Sequence, residues 1–471
     1  MRKLASLLAL ALVAAPGLAH ATGMQGHVYM AMCAAEQLPD GKLKQALAAH
    51  ELRLINGGFF PDSGYTNKSD YDQGEIPHWE GYVEGWIQEL RARYPSPWTD
   101  PEAQKHLAFL MGFAAHGITD STFDTLLFAR SEQVDPGGPN DLDMSMDVFL
   151  VSDLKRHLVP ELDHDSSFSS TVFGARAGHP VSPAAIDKAM SAARSGMGAV
   201  VKVLAPGVAD FAPKYPWAHG AILDSRAPGG YAFGSKVVVR YWEELTKRVD
   251  GDASADGVVI GTYPSPAYPL VTLDHTRVDS HVTVYLGHGL DRASVKDDAV
   301  VVLGPGGAVV PVKFNEFRGD KWLNVIVLEP VADWQPDTDY TLVVKSSVRT
   351  LYGASPSADV KITFSTHCAT DPGASGCPAA TPSKSPCPLN DARFQPVPDP
   401  EEAGGAAGAA GAAGGAGPGG AAGVTAAPSA APAASEDDGG CAFVPGSGGL
   451  GAWALGVVAL LAARGRRRAR G

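Results

Sequence analysis

The chain has 471 residues, with 38 Lys and Arg against 51 Asp and Glu and a net charge of -13. That excess of negative charge excludes broad electrostatic attraction to nucleic acid. Five cysteines in such a length exclude a disulfide-dense scaffold, so the fold must rest on apolar burial.

Residues 1–21 read MRKLASLLALALVAAPGLAHA. Two cations, a short apolar run and a small-x-small site predict a secretory signal peptide, with mature protein starting at Thr22. Residues 22–250 are long enough for one sizeable domain, and their periodicity is helical. HVYMAMCAAEQL, WEGYVEGWIQELRARY, AQKHLAFLMGFAAHGITDSTFDTLL, MSMDVFLVSDLKRHL, SPAAIDKAMSAARSGMGAVVKVLA and SKVVVRYWEELTKRV place apolar residues at three-and-four spacing. Gly/Pro/Asp-rich loops such as SGYTNKSDYDQGEIP separate them. Cys33 falls inside the first of these helices and reads as a small core residue.

Across 257–367 the period changes to two. VTLDH, VTVYL, AVVVL, VVPVKF, LNVIVL, YTLVV and VKITF are short strands with turns between them, which predicts an all-β sandwich. VADWQPDTDYTLVV and LYGASPSADVKITFST resemble bacterial Ig-like domains of the SbsA type. His275, His281 and His288 are scattered here and read as surface or structural residues. Residues 368–437 are Ala/Gly/Pro-rich and read as a flexible linker reaching roughly 45 Å. One pair among Cys368, Cys377 and Cys387 is expected to close in an oxidising compartment. Residues 438–471 hold Cys441, a short apolar segment and an Arg cluster that would stay in the cytoplasm. Their order resembles the MYXO-CTERM sorting signal, which implies processing or lipidation near Cys441 and anchorage at the cell surface.

The chemistry concentrates in the helical domain. FAAHGITDSTFD puts His116, Asp120 and Asp124 four residues apart, near one stripe of a helix. Two carboxylates on that stripe repel unless a cation lies between them. His27 in GHVYMAMC, Asp62 in GGFFPDSGY and His78 in IPHWEGY are the other His and carboxylate groups of interest. Imidazole nitrogen and carboxylate oxygen are ordinary zinc ligands, and three of them plus water make a catalytic site.

The order of these motifs, with RYPSPW between them, resembles the zinc-dependent phospholipase C family. The nearer likeness is to the branch formed by the N-terminal domain of glycosylphosphatidylinositol-specific phospholipase D, over residues 24–160. The resemblance implies a mainly helical fold shared with P1-type nucleases. It implies that His78, His116 and Asp120 bind one Zn2+, that Asp120 bridges to a second ion held also by His27, and that Asp62 is a further ligand or the catalytic base. The branch has His where this chain has Asp124, and its next motif corresponds to GGPNDLDMSMDV, with Asp143 and Asp147 but no His at the first place. A third site built from Asp124, Asp143 and Asp147 is therefore rich in carboxylate, which suits another divalent ion better than zinc. His157 with Glu161 is an alternative that Pro160 disfavours as a helical pair. His50, His106 and His164 are left as surface or core residues. Phe59, Phe60, Tyr65, Trp79 and Trp86 are candidates to line a cleft or to fill the core.

The expectation is a secreted, surface-anchored, metal-dependent phosphodiester hydrolase acting on phospholipid or glycosylphosphatidylinositol-type substrates. The Ig-like domain would serve as spacer or adhesion module, and the tail would meet the membrane. A nuclease on the same fold and a non-catalytic surface binding protein are the rival expectations.

Overall fold

The computed structural model describes residues 23–366, apart from 139–140, 155, 202–207, 225–226, 253, 265–280, 297 and 315–323, together with 395–396. The signal peptide, His275, Cys368, Cys377, Cys387, Cys441 and the sorting tail lie outside the described residues. The helical region runs α1 (Met24–Gln37), α2 (Lys42–Ala49), α3 (Glu51–Gly64), α4 (Asp72–Glu75), a 3-10 turn (Ile76–His78), α5 (Glu80–Arg93) and α6 (Pro101–Thr122). A π-helical turn (Phe123–Phe128) leads into α7 (Ala129–Val134), α8 (Leu142–Leu154) and the two-residue strand β1 (Arg156–His157). Helices α9 (Ser166–Ala175), α10 (Pro183–Ala199), α11 (Val208–Phe211), α12 (Pro216–Ala221) and α13 (Tyr231–Asp250) complete it.

Helix α6 is the axis of this region. Asp100 caps it, accepting from the amides of Glu102 and Ala103 at 2.9 and 3.1 Å, and Pro101 supplies a preset first turn. From Leu107 to Thr122 every residue is buried, so α6 is wrapped on all sides by other helices. Its closest neighbour is α3, and glycine makes that approach possible. A Cβ on Gly112 would stand 2.3 Å from the Leu54 carbonyl oxygen, and one on Gly57 would stand 2.2 Å from that of Phe109. Trp242 on α13 donates its indole N–H to the Met111 carbonyl at 2.9 Å, fixing the other flank.

The strands form two four-stranded antiparallel sheets. One has the order β2 (Val259–Tyr263), β3 (Val282–Leu286), β7 (Val325–Pro330), β6 (Val312–Phe314). The other has the order β5 (Val309–Val310), β4 (Val300–Leu303), β8 (Asp339–Val344), β9 (Val360–Ser365). Alternate residues Val282, Val284, Leu286, Val300, Val302, Leu342 and Val344 fill the space between the sheets, with Trp334, Tyr340 and Phe364. The expected pairing of a helical domain with an Ig-like sandwich is therefore what the chain forms.

Strand β3 is buried at every position, which an isolated sandwich would not require. Its second face carries Tyr285, which joins Ile260, Tyr263 and Val325 in the core of the helical region. The Tyr285 hydroxyl faces Thr122 and Thr125 at the end of α6. Below it, Arg248 on α13 is buried and pairs with Glu80 and with Glu84 at 2.9 Å. The same guanidinium donates to the Gly287 carbonyl at 3.1 Å and to the Tyr352 hydroxyl at 3.0 Å. The sandwich is thus packed directly on the helices.

Two further features depart from the sequence reading. Cys33 is buried, as a core residue should be, but it is disulfide-bonded, and its partner lies outside the described residues. Within the stretch read as linker, β10 (Gln395–Pro396) pairs antiparallel with β1, His157 standing opposite Gln395. His157 accordingly sits on a strand and not in a helix with Glu161.

Candidate metal centre

Four elements bring His27, Asp62, His78, His116 and Asp120 together. His27 is in the first turn of α1, Asp62 in the last turn of α3, and His78 closes the 3-10 turn before α5. His116 and Asp120 lie one turn apart on α6. Two groups of ligand atoms result, His27 with Asp62 and His116, and His78 with His116 and Asp120. His27 and His116 have no exposed surface, while the Asp62 side chain keeps 17% of its own, so the cluster opens to solvent on the Asp62 side.

The hydrogen bonds behind the imidazoles decide which nitrogen faces inward. His116 Nδ1 lies 2.9 Å from the Gly58 carbonyl oxygen and His78 Nδ1 lies 2.8 Å from that of Gly74. A carbonyl only accepts, so each Nδ1 carries a proton, and in the neutral ring each Nε2 is left with a lone pair. His27 Nδ1 lies 2.9 Å from Thr119 Oγ1, whose own proton goes to the Ala115 and His116 carbonyls. His27 therefore donates through Nδ1 and also points an Nε2 lone pair inward. The tautomers are assigned from this network.

Those lone pairs converge on one spot. His116 Nε2 and His78 Nε2 are 3.0 Å apart. His78 Nε2 is 3.3 Å from Asp120 Oδ2 and 3.7 Å from Asp62 Oδ1, and His116 Nε2 is 3.6 Å from each of those oxygens. His27 Nε2 is 2.9 Å from Asp120 Oδ1, yet both atoms are buried without a properly directed hydrogen bond. Buried acceptors crowded against acceptors are unfavourable unless a proton or a cation lies between them. Imidazole Nε2 and carboxylate oxygen are zinc donors, and Nδ1–H bound to a backbone carbonyl is the supporting arrangement that metal-binding histidines use. The donor set fits a divalent cation.

The electrostatics agree. Burial lowers the pKa of His27, and the neighbouring His116 lowers it further against the pull of Asp120. Burial works to raise Asp62 and Asp120, but the imidazoles around them prevail and hold both carboxyls well below their usual range. For His78 burial is outweighed by Asp120 and Asp62, which push it up to about 10, so without a cation its Nε2 holds a proton that a bound metal would displace. Two carboxylates thus stay ionised beside three histidines.

The other sequence candidates are placed elsewhere. Among the described residues, Asp124, Asp143 and Asp147 join neither ligand group. Asp124 is buried in the π-helical turn. Asp147 accepts the amides of Gln25 and Gly26 at 3.1 and 2.9 Å, so it caps α1. Burial raises its pKa to about 7 against those two hydrogen bonds. Phe59, Phe60 and Trp86 are core residues, whereas Tyr65 and Trp79 are partly exposed beside the cluster. Tyr65 stacks on His78 with ring centres 5.5 Å apart, and Glu75 accepts from the Tyr65 hydroxyl and the Trp79 indole at 3.0 Å each. Thr119 and the carbonyls of Gly58 and Gly74 were not evident from sequence; only Thr119, three residues after His116, left any trace.

Comparison with known proteins finds similarity over parts of the chain. Residues 259–366 match the family described as a bacterial Ig-like domain. The chain is 30% identical over 112 residues to phosphatidylinositol-glycan-specific phospholipase D of Bos taurus, covering 22% of this chain and 13% of that protein. The Mus musculus protein of the same name is 31% identical over 117 residues, with 23% and 14% covered. The chain thus spans about one-seventh of the length of these relatives. The N-terminal part of the bacterial S-layer protein SbsC aligns over 69% of this chain and 79% of its own, at 9% identity and a TM-score of 0.19. Among the described residues no helix is long and apolar enough to cross a membrane.

Proposed function

We propose that the helical region is a zinc-dependent phosphodiester hydrolase of the phospholipase C type, acting on phospholipid or glycosylphosphatidylinositol-type substrates outside the cell. One observation carries this reading: three buried imidazoles, each held through Nδ1, present Nε2 to the same space as two ionised carboxylates. The similarity to phosphatidylinositol-glycan-specific phospholipase D supports the substrate class. In this reading His78, His116 and Asp120 hold one ion, and Asp120 with His27 holds a second. Zinc in such a donor set supplies Lewis acidity and water activation at neutral pH.

The chain's own residues do the rest. Gly58, Gly74 and Thr119 keep the three rings oriented. Asp62 is the more exposed carboxylate, lies at the open side of the cluster, and accepts the proton of the attacking water. The buried wall of α6 keeps bulk water from the other side. Export by the N-terminal segment and anchorage by the C-terminal tail belong to the same proposal.

The experiment is metal analysis of the purified chain, followed by hydrolysis assays on phosphatidylinositol glycan, phosphatidylcholine and single-stranded DNA. Bound zinc with cleavage of either lipid is the expected result. Cleavage of DNA alone would replace the phospholipase reading by a nuclease. Zinc below one ion per chain, with no cleavage even of bis-nitrophenyl phosphate, would leave a non-catalytic binding protein.

A further inference from the structure

Helix α5 ends at a groove of about 760 Å³, within the range of ligand sites. Arg91 on α5 and Arg176 after α9 line it, with Gln88, Tyr94, Trp98 and Asp250 among others. His78 stands just before the start of α5. The fourteen residues of that helix, at 1.5 Å each, put the groove roughly 20 Å from the metal centre.

We propose that this groove is a second binding site and that it takes a phosphate monoester. Its field is set by two guanidiniums that nothing nearby neutralises. Asp250 receives Lys42 Nζ on its two oxygens at 2.7 and 2.6 Å, and the Trp98 indole N–H at 2.7 Å. Glu89 is taken by Arg93 Nε at 2.6 Å. Each of these acids thus has a short cation partner of its own. The next carboxylates are also engaged: Asp100 accepts the first amides of α6, and Glu84 pairs with Arg248 at 2.9 Å. Arg176 reaches Glu89 only at 3.3 Å, and among the described residues Arg91 has neither a hydrogen-bond nor an ion-pair partner. Arg91 and Arg176 therefore form a positive spot on a chain whose net charge is -13.

Glycines set where both guanidiniums lie. A Cβ on Gly85 would stand 2.7 Å from the Arg176 Cβ, so the Arg176 side chain starts against α5 and runs along it to Glu89. The Arg91 head lies against Gly251, whose φ is +92° and where a Cβ would stand 2.7 Å from Nη2. The last carbonyls of α13 are already taken by the amides of Gly251 and Asp252 at 3.0 and 2.9 Å, so they leave the Arg91 N–H groups free. A guanidinium is a planar fork of donors that meets two oxygens of one oxyanion. A carboxylate has two oxygens and a single charge, and a phosphodiester or a sulfate ester also carries a single charge. A phosphate monoester has three free oxygens and roughly two charges near neutral pH, which matches two unneutralised forks.

Two assays on the purified full chain test this. Isothermal titration uses glycerol 3-phosphate, with dimethyl phosphate and acetate as monoanion controls. Co-sedimentation uses phosphatidylcholine vesicles carrying phosphatidic acid, with phosphatidylglycerol as the diester control. The monoester is expected to bind in preference to the controls. Arg91→Gln and Arg176→Gln, both exposed changes, should each weaken it about tenfold or more without lowering the melting temperature. Arg91→Lys should restore only part of the loss, because a point charge replaces the fork. Binding should survive chelation of metal, which separates the groove from the metal centre. Binding of the soluble ester assigns a free ligand, and binding to the vesicles alone assigns a lipid headgroup; either supports the site. Four results would overturn it: no binding of either probe at millimolar concentration, affinity unchanged in both glutamine variants, binding lost on chelation, or equal affinity for the monoanion controls.

Discussion

His116 shows how a single side chain acquires a role. Its Nδ1 proton is fixed by Gly58, its ring stacks on His27 at 3.6 Å, and its Nε2 meets that of His78 at 3.0 Å. Replacing it by alanine should lower the number of bound zinc ions by at least one per chain, read by elemental analysis. The rise in melting temperature that added zinc gives the parent should shrink with it, because a ligand stabilises only the state that binds it. Thr119 gives a subtler test. Thr119→Val removes the acceptor that orients His27 and should weaken metal binding about 10- to 100-fold, whereas Thr119→Ser should not. A chelator competition titration separates them. The candidate ligands are legible because His and Asp four apart on an apolar helix are chemically conspicuous. Thr119 was not, since a threonine in a helix usually bonds its own backbone.

At the scale of elements, the site depends on how closely α3 and α6 cross. Gly112→Ala would drive a Cβ into the Leu54 carbonyl, a backbone atom that cannot rotate away. A loss of about 1–3 kcal/mol or more in unfolding free energy is expected, measured by urea denaturation. The same shift would pull Asp62 and Gly58 from His116, so metal binding should weaken as well. The helices themselves were readable from three-and-four spacing. The crossing was not, because GG in NGGFFPDSGY looks like a turn until a second helix is laid against it. The bonds of Asp147 are hidden for the same reason, since its partners Gln25 and Gly26 are more than a hundred residues away.

For the whole molecule, the junction between helices and sandwich holds a buried ion pair. Burial raises the pKa of Glu80 and Arg248 opposes that rise, so the pair stays ionic only while both partners are present. Arg248→Met should destabilise the full chain by about 3–5 kcal/mol, with a single lowered transition by calorimetry. Adding Glu80→Gln should recover part of that loss. Acid should act at two buried histidines. Burial lowers His106 and His288 to about 4 each, with nearby arginines adding to the effect. The unfolded chain takes up those protons first, so their contribution is intact above about pH 6.5 and lost as pH falls towards 4. Urea midpoints of chelator-treated protein should fall over that window, and less steeply after His106→Phe with His288→Asn.

The sequence by itself determined the element types, the boundary between helical and β regions, and five residues able to hold a metal. Those properties are local: periodicity sets which face is apolar, and side-chain chemistry sets what can ligate. Tertiary structure decided that the imidazoles share one space and which nitrogen each presents. It also placed Asp147 against the first turn of α1, and seated the sandwich on the helices through Tyr285 and Arg248. Contacts between residues far apart in the chain leave no periodic trace, and β3 differs from a strand of a free-standing sandwich only in burying Thr283 and Tyr285 on its second face.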